Sequence, residues 1–455
     1  MIIKAQMNKI LQTASVFLLV FSSLSIKAQT EDLTKFSLHE AQSYALENSY
    51  TAKGSDYDLK VAKKKVWEAI STGLPQVSAS ADYSKNLDIT VSLLPAEFFG
   101  GVAGEYTPVK FGQTYAGSAS IKVDQKIFDG SYIVGLGAAK VFVQLSQNTK
   151  TKSEIEVKDA VAQAYYNVLV ARENYKTIEE NLTITKKTLF ETKAYYENGF
   201  REELDVDQVM LMFKRTENQL SNAKRAISNA LIMLKFTMGY EIDKEIELKN
   251  DLETFITPLR ISKNDQTNLD LENHIDYKIV DTQLKAQKLI VRNEQAGYLP
   301  NLSAFYNYGK NTSTDVSNIY KSNVPWYKSS MIGLSLNVPI FTGFNRRSKI
   351  KQEKINYKKM ENLKYNTEQS IKKNLSISHN SLVNAKANYE NDLKGLEIAR
   401  RIYDKTLIKF NEGVSTSTDL SNIEEQYLNS HTAYINSTLN LLNSKIAFDK
   451  ALGKL

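Results

Sequence analysis

Apolar and polar positions alternate in four short stretches of this chain, and apolar positions recur in sevens along much longer ones. Over residues 76–86, Val77, Ala79, Ala81 and Tyr83 alternate with Ser78, Ser80, Asp82 and Ser84. A period of two puts the two sets on opposite faces of a strand. Residues 114–128 behave alike, with Ala119, Ile121 and Val123 set against Ser120, Lys122 and Asp124. Two further strands are predicted at 301–310 and 331–341, the last with Ile332, Leu334, Leu336 and Val338 on its apolar face. After the second strand, Val161, Val168, Tyr175, Leu182, Leu189 and Tyr196 follow a strict heptad; after the fourth, Leu375, Leu382, Tyr389, Leu396, Tyr403 and Phe410 do the same. Six consecutive heptads predict a coiled coil. A helix over 131–198 would run about 100 Å at 1.5 Å per residue, more than a compact domain needs.

Each long helix breaks at a glycine, Gly199 or Gly413, and a second heptad run leads back: Val206, Phe213, Leu220, Ile227 and Leu234, then Leu420, Tyr427, Tyr434, Leu441 and Phe448. Each half therefore holds a helical hairpin, with tips near 199–205 and 413–419. The return helices are about half as long as the outgoing ones. Helices over 37–72 and 269–297 supply the missing length and enter the strands through Leu74-Pro75 and Leu299-Pro300, where proline disfavours further helix.

The two halves are copies. Leu46–Asn86 aligns without a gap on Leu271–Asn311, and sixteen of the 41 positions are identical, Asp56 and Asp281 among them. Ile127-Phe128-Asp129-Gly130 matches Ile340-Phe341-Thr342-Gly343. A repeat of this length is no solenoid unit. The expected organisation is a first repeat over 37–238, a polar mid-height linker over 239–268 and a second repeat over 269–455.

Composition narrows the compartment. Residues 1–28 have Lys4 and Lys9 ahead of an apolar stretch and end at Ala28, which predicts a cleaved signal peptide. Cysteine is absent, which leaves neither a disulfide framework nor a lipid-anchored cysteine. Beyond the leader no apolar run is long enough for a spanning helix, so a membrane would have to be crossed by strands. The formal charge of +7 is small and evenly spread, and three of its lysines fall in the leader, which argues against nucleic acid as a partner. The four histidines are scattered, no nucleophilic set is visible, and Gly135-Leu136-Gly137 lacks the rest of a dinucleotide loop; neither enzyme, cofactor nor metal site is expected. The basic run Arg346, Arg347, Lys349, Lys351 and Lys354 suits lipid head groups or a solvated helix face, and tyrosines near the strands suit an interfacial girdle.

Four strands cannot close a barrel, and an open edge is not tolerated in lipid. Three chains would give twelve strands; two would give eight, with little lumen. At this point the chain resembles the outer-membrane factors of the TolC family, trimeric channel-tunnels of efflux pumps and type I secretion systems. The resemblance rests on the duplication, the joints at Leu74-Pro75, Leu299-Pro300, Phe128-Asp129-Gly130 and Phe341-Thr342-Gly343, and the two tips. In each tip a glycine precedes by six residues an Asp followed by an aliphatic residue: Gly199 with Asp205-Val206, Gly413 with Asp419-Leu420.

The resemblance implies an α+β channel-tunnel: a shared twelve-stranded β-barrel in the outer membrane, continued into the periplasm by an α-barrel of coiled-coil hairpins. It implies a passive exit duct working as a homotrimer with a periplasmic adaptor and an inner-membrane transporter. A periplasmic or secreted coiled-coil scaffold that never enters lipid is the alternative. The family's closed end carries carboxylate rings, which fall here on Asp419 and, three residues on, Asn422, leaving one acidic ring. Helix capping is the competing role of Asp205 and Asp419. The family's latch positions are Asp205, Phe410 and Ser415, where Phe410 and Ser415 lack the usual donors, so a different latch is expected; Arg201 and Arg215 lie nearby without a placed partner. Adaptor contacts are expected at Gly199, Leu204, Val206, Gly413, Val414 and Leu420, several of which are equally suited to the hairpin core.

Overall fold

The computed structural model describes residues 35–256 and 269–455. The leader and residues 257–268 of the linker lie outside the described residues. Among the described residues the strands and α-helices follow in this order: β1 (Lys35–Phe36), α1 (Leu38–Asn48), α2 (Tyr50–Ser71), β2 (Gln76–Lys85), β3 (Val91–Pro95), β4 (Tyr106–Lys110), β5 (Tyr115–Phe128), α3 (Gly130–Glu197), α4 (Glu203–Met238), β6 (Glu247–Leu248), α5 (Glu253–Ile256), α6 (Ile275–Ala296), β7 (Asn301–Thr314), β8 (Tyr327–Asn337), α7 (Asn345–Asn411) and α8 (Ser417–Ala451).

The principal sheet has the order β2-β5-β7-β8, antiparallel throughout. Its register carries the alternating pattern across all four strands. Val77 faces Val123, Val123 faces Tyr306 and Tyr306 faces Ile332; one row along stand Ala79, Ile121 and Tyr308. On the other face Ser78, Lys122 and Asn307 line up, as do Ser80, Ser120 and Gly309. One face is thus apolar over its middle rows, giving way to Lys310, Lys328 and Ser330 at one end, and the other is mainly polar; the apolar face is open to the surroundings, Ile332, Leu334 and Leu336 all being more than 60% exposed. Strand β8 covers 327–337 rather than the expected 331–341, because Pro339 has no N–H to donate while pairing persists to Tyr327 opposite Asn311. Between β2 and β5, where the sequence pattern shows no strand, the chain forms the antiparallel hairpin β3–β4.

The sheet passes directly into helices. Asp129 caps α3, its side chain accepting from the N–H groups of Ser131 and Tyr132 at 2.9 and 3.2 Å. Helices α3 and α4 form one antiparallel hairpin, α7 and α8 the other, and α8 also packs on α3. Heptad positions make the seams: Val161, Val168, Leu189, Leu382, Tyr403, Phe410, Leu420 and Leu441 are all buried. The helix expected over 37–72 is two helices, since Ser49 ends α1 and caps α2 through Ala52 N–H.

The repeated Asp56 and Asp281 acquire a shared role. Asp56 takes Lys150 on one carboxylate oxygen and Lys60 on the other, both at 2.8 Å. Asp281 takes Lys364 at 2.7 Å and Lys285 at 2.8 Å in the same way. Each triad ties the helix that enters the sheet to the long helix that leaves it. Hydrogen bonds from Lys150 and Lys60 hold the Asp56 carboxyl down to about 2.

At mid-height β1 pairs in parallel with β6, and Tyr165 donates to the carbonyl of Phe36 at 3.0 Å. The largest buried cluster forms here, around Phe36, Tyr165, Leu234 and Leu442. Helix α4 stops at Gly239, whose φ is +71° and where an added Cβ would lie 2.4 Å from the carbonyl oxygen of Asn48. Gly239→Ala is therefore expected to destabilise the fold by upwards of about 1 kcal/mol, read as a lowered melting temperature of the detergent-extracted protein.

Candidate periplasmic gate at the hairpin tips

The tips form at the end of the helices opposite the sheet. Gly199 and Gly413 have φ of +79° and +75°, the left-handed turn that lets each chain reverse within a few residues. Neither Asp stands ahead of its helix as an N-cap; both lie in the first turn. Thr416 is the N-cap of α8, and Asp419 completes a capping box, accepting from Thr416 N–H at 3.2 Å and from its hydroxyl at 2.7 Å. Only one carboxylate oxygen is used in these bonds. The side chain is exposed, and hydrogen bonds from Thr416 hold its carboxyl below the usual range. Capping and a solvent-facing negative charge therefore coexist in Asp419. Asn422, one turn on, is also exposed.

Asp205 and Phe410, on different hairpins, are brought together by Arg201. The guanidinium lies 4.2 Å from the centre of the Phe410 ring, donates to the Phe410 carbonyl, and stands 3.7 Å from the Asp205 carboxylate. It is largely shielded, its side chain 11% exposed. Gln208 donates to Thr418 at 3.1 Å across the same junction. Ser415 lies in the second turn, where it reaches Asp419 rather than the first hairpin. The sequence could not place Arg201, because nothing local in a turn fixes which residue of a distant helix it meets.

Among the expected contact residues Leu204 and Val414 are well exposed, with Phe200 beside them, whereas Leu420 is fully buried in the seam and Val206 is half-buried.

A second feature above the tips escaped the sequence reading. Glu424 on α8 is 5% exposed. Its carboxylate accepts from Asn181 at 2.7 Å and Thr185 at 3.2 Å on α3, and from Thr216 at 3.5 Å on α4. Tyr403 on α7 donates to the other end of Asn181 at 3.1 Å and stacks on Tyr427. All four helices of the two hairpins meet in this knot. Burial pushes the Glu424 carboxyl up. The available signal was a glutamate four residues after Leu420 and three before Tyr427, a position on the apolar seam.

Among the described residues no helix is long and apolar enough to cross a membrane, and no cluster of three or more metal-ligating side chains is present. The histidines sit apart: His39 is exposed on α1, His274 caps α6, His379 lies beside Phe448 and His431 is buried in the α8 seam.

Comparison with known proteins agrees with this architecture. The chain is 24% identical to the outer membrane protein TolC of Escherichia coli over 95% of its own length and 87% of that protein's. It is 21% identical to TolC of Vibrio cholerae, covering 74% and 77%. The crystal structure of the outer membrane protein VceC from Vibrio cholerae superposes with a TM-score of 0.67 at 17% identity, over 91% of this chain and 96% of that one. The family described as outer membrane efflux protein matches residues 42–240 and 270–454. The fold is that of the channel-tunnels, the location is the outer membrane, and the chain belongs to the outer membrane efflux protein family.

Proposed function

We propose that three copies of this chain form the exit duct of an efflux or type I secretion assembly, conducting substrate passively from an inner-membrane transporter and its periplasmic adaptor to the outside. The amphipathic sheet with two unpaired edges supports this reading most. In lipid those edges must be satisfied, and β8 of one copy is antiparallel-ready for β2 of the next. Three four-stranded sheets make a twelve-stranded barrel, inside the size range of membrane barrels. The exposed apolar side chains Phe200, Leu204 and Val414 at the tips suit an adaptor.

Asp419 sets the charge of the periplasmic constriction, where three copies present three carboxylates; Asn422 adds none. A negative ring favours cations and holds multivalent ones. Single-channel recording of the purified protein in planar bilayers, with its mass measured in detergent, tests the reading. Small cation-selective currents from a trimer are expected. Asp419→Asn is expected to lower cation selectivity and weaken block by multivalent cations, and selectivity equal to the parent's would remove Asp419 from the role. A non-inserting monomer would overturn the duct itself.

A further inference from the structure

The hairpin β3–β4 has an apolar face with no partner in its own chain. Its register places Leu93 opposite Pro108 and Pro95 opposite Tyr106, with Val91 on the same side opposite Lys110, the one charged residue at the margin of this face. Leu93 and Tyr106 are each 66% exposed, and at the turn Phe98 is 78% exposed. The two strands pack on each other and on their connecting turn, and beyond isolated contacts no other described element of the chain packs on them. A lone two-stranded hairpin is marginal in water. Something must cover this one.

Acyl chains do not reach it. Strand β2 has ten residues, which at about 3.3 Å each and a tilt of about 40° rises roughly 25 Å, the height of the apolar band of a membrane barrel. Lys85 and Asn86 mark its outer end, and the hairpin begins five residues beyond, among Asp88, Glu97, Glu105 and Lys110. Sugars and phosphates of the outer surface are polar and do not match Val91, Leu93 and Tyr106. The hairpin does, however, grow from β2, the edge strand at which the next copy must join.

We infer that the hairpin packs, through Val91, Leu93, Tyr106 and Phe98, on a neighbouring copy of this chain, and so buttresses the subunit seam above the membrane. This rests on the trimer proposed above. The test places the photo-crosslinking residue p-benzoylphenylalanine at Leu93, and separately at Ala81 within β2, in full-length protein irradiated in native outer membranes. The expected result is products at two and three times the chain's mass from both positions, containing only this chain's peptides. Cross-links between copies from position 81, with none or only lipid adducts from position 93, would overturn the inference and leave the trimer standing. No product between copies from either position would sink both.

Discussion

Replacing Arg201 by alanine is expected to open the periplasmic end of the duct. Arg201 is the one described side chain that joins the first tip to Phe410 and Asp205 at once. A shielded guanidinium over a ring contributes about 1 kcal/mol, and its hydrogen bond to a carbonyl about as much again. The pair with Asp205, at 3.7 Å, adds only a few tenths. On the order of 2 kcal/mol per subunit is lost, and three subunits opening together would change the open-to-closed ratio by roughly 10³ or more. Recordings should show larger and longer openings than the parent's. Arg201→Lys should recover only part of the closure, because an ammonium cannot stack flat on the ring while reaching the carbonyl. Asp205→Asn should have a small effect. Phe410→Ala is a poor probe, since the ring is 1% exposed and its loss would loosen the hairpin core as well. Parent-like conductance in Arg201→Ala, from protein of normal helicity and trimer content, would rule Arg201 out as the latch.

What could be read from the sequence follows from where the physics is periodic. Strands β2 and β5 were legible because Val77–Tyr83 and Ala119–Val123 alternate, and the register lays those same residues on one face. The hairpins were legible because a seam buried along its whole length must repeat every seventh residue. Aperiodic features were hidden. Ser49 interrupts a helical face that Ala41, Ala45 and Ala52 continue across the break, so no change of period announced it. Strands β3 and β4 each contain a proline and make a short ribbon whose apolar side faces no core of its own chain, which reads as loop. The partners of Asp56 and Asp281 were hidden for a different reason: the identity of the repeats marked the aspartates, but only the packing of α2 on α3 and of α6 on α7 selects Lys150 and Lys364. Arg201 and Glu424 lie at the far end of the same scale, each defined by groups about two hundred or more residues away.

Glu424 leads to the second large effect. Its carboxyl has a folded pKa above its unfolded value of 4.5, because burial penalises the charged form more than the hydrogen bonds from Asn181, Thr185 and Thr216 and the charge of Arg215 favour it. The other ionisable groups around the knot are Tyr403, whose hydroxyl burial pushes far up, Asp404 behind it, and Tyr427. A raised folded pKa means that the native state holds the proton more tightly. The cost of the buried charge is fully present above the folded pKa; it is relieved as pH falls through that value and is gone below 4.5. Glu424→Gln keeps an acceptor for Asn181 and carries no charge, so it should be more stable than the parent at neutral pH, by on the order of 1 kcal/mol, with the advantage vanishing in acid. The difference between variant and parent is the quantity to follow. Burial of His431, held down to about 4, makes both proteins less stable as pH falls from 6.5, and that contribution cancels in the subtraction. Glu424→Ala should act the opposite way, costing about 1–3 kcal/mol by leaving the Asn181 amide without its acceptor, whereas the Thr185 and Thr216 hydroxyls keep the carbonyls of Asn181 and Met212. In the duct proposed above, an opening that separated the two hairpins would break the knot and return the carboxylate to water, so the ionised form would favour opening and the protonated form closure. Glu424→Gln should then hold the channel closed at neutral pH to the degree the parent reaches only in acid. A stability difference that does not vary with pH would show that Glu424 stays protonated, or stays ionised, throughout the range, and would remove it as a source of pH dependence.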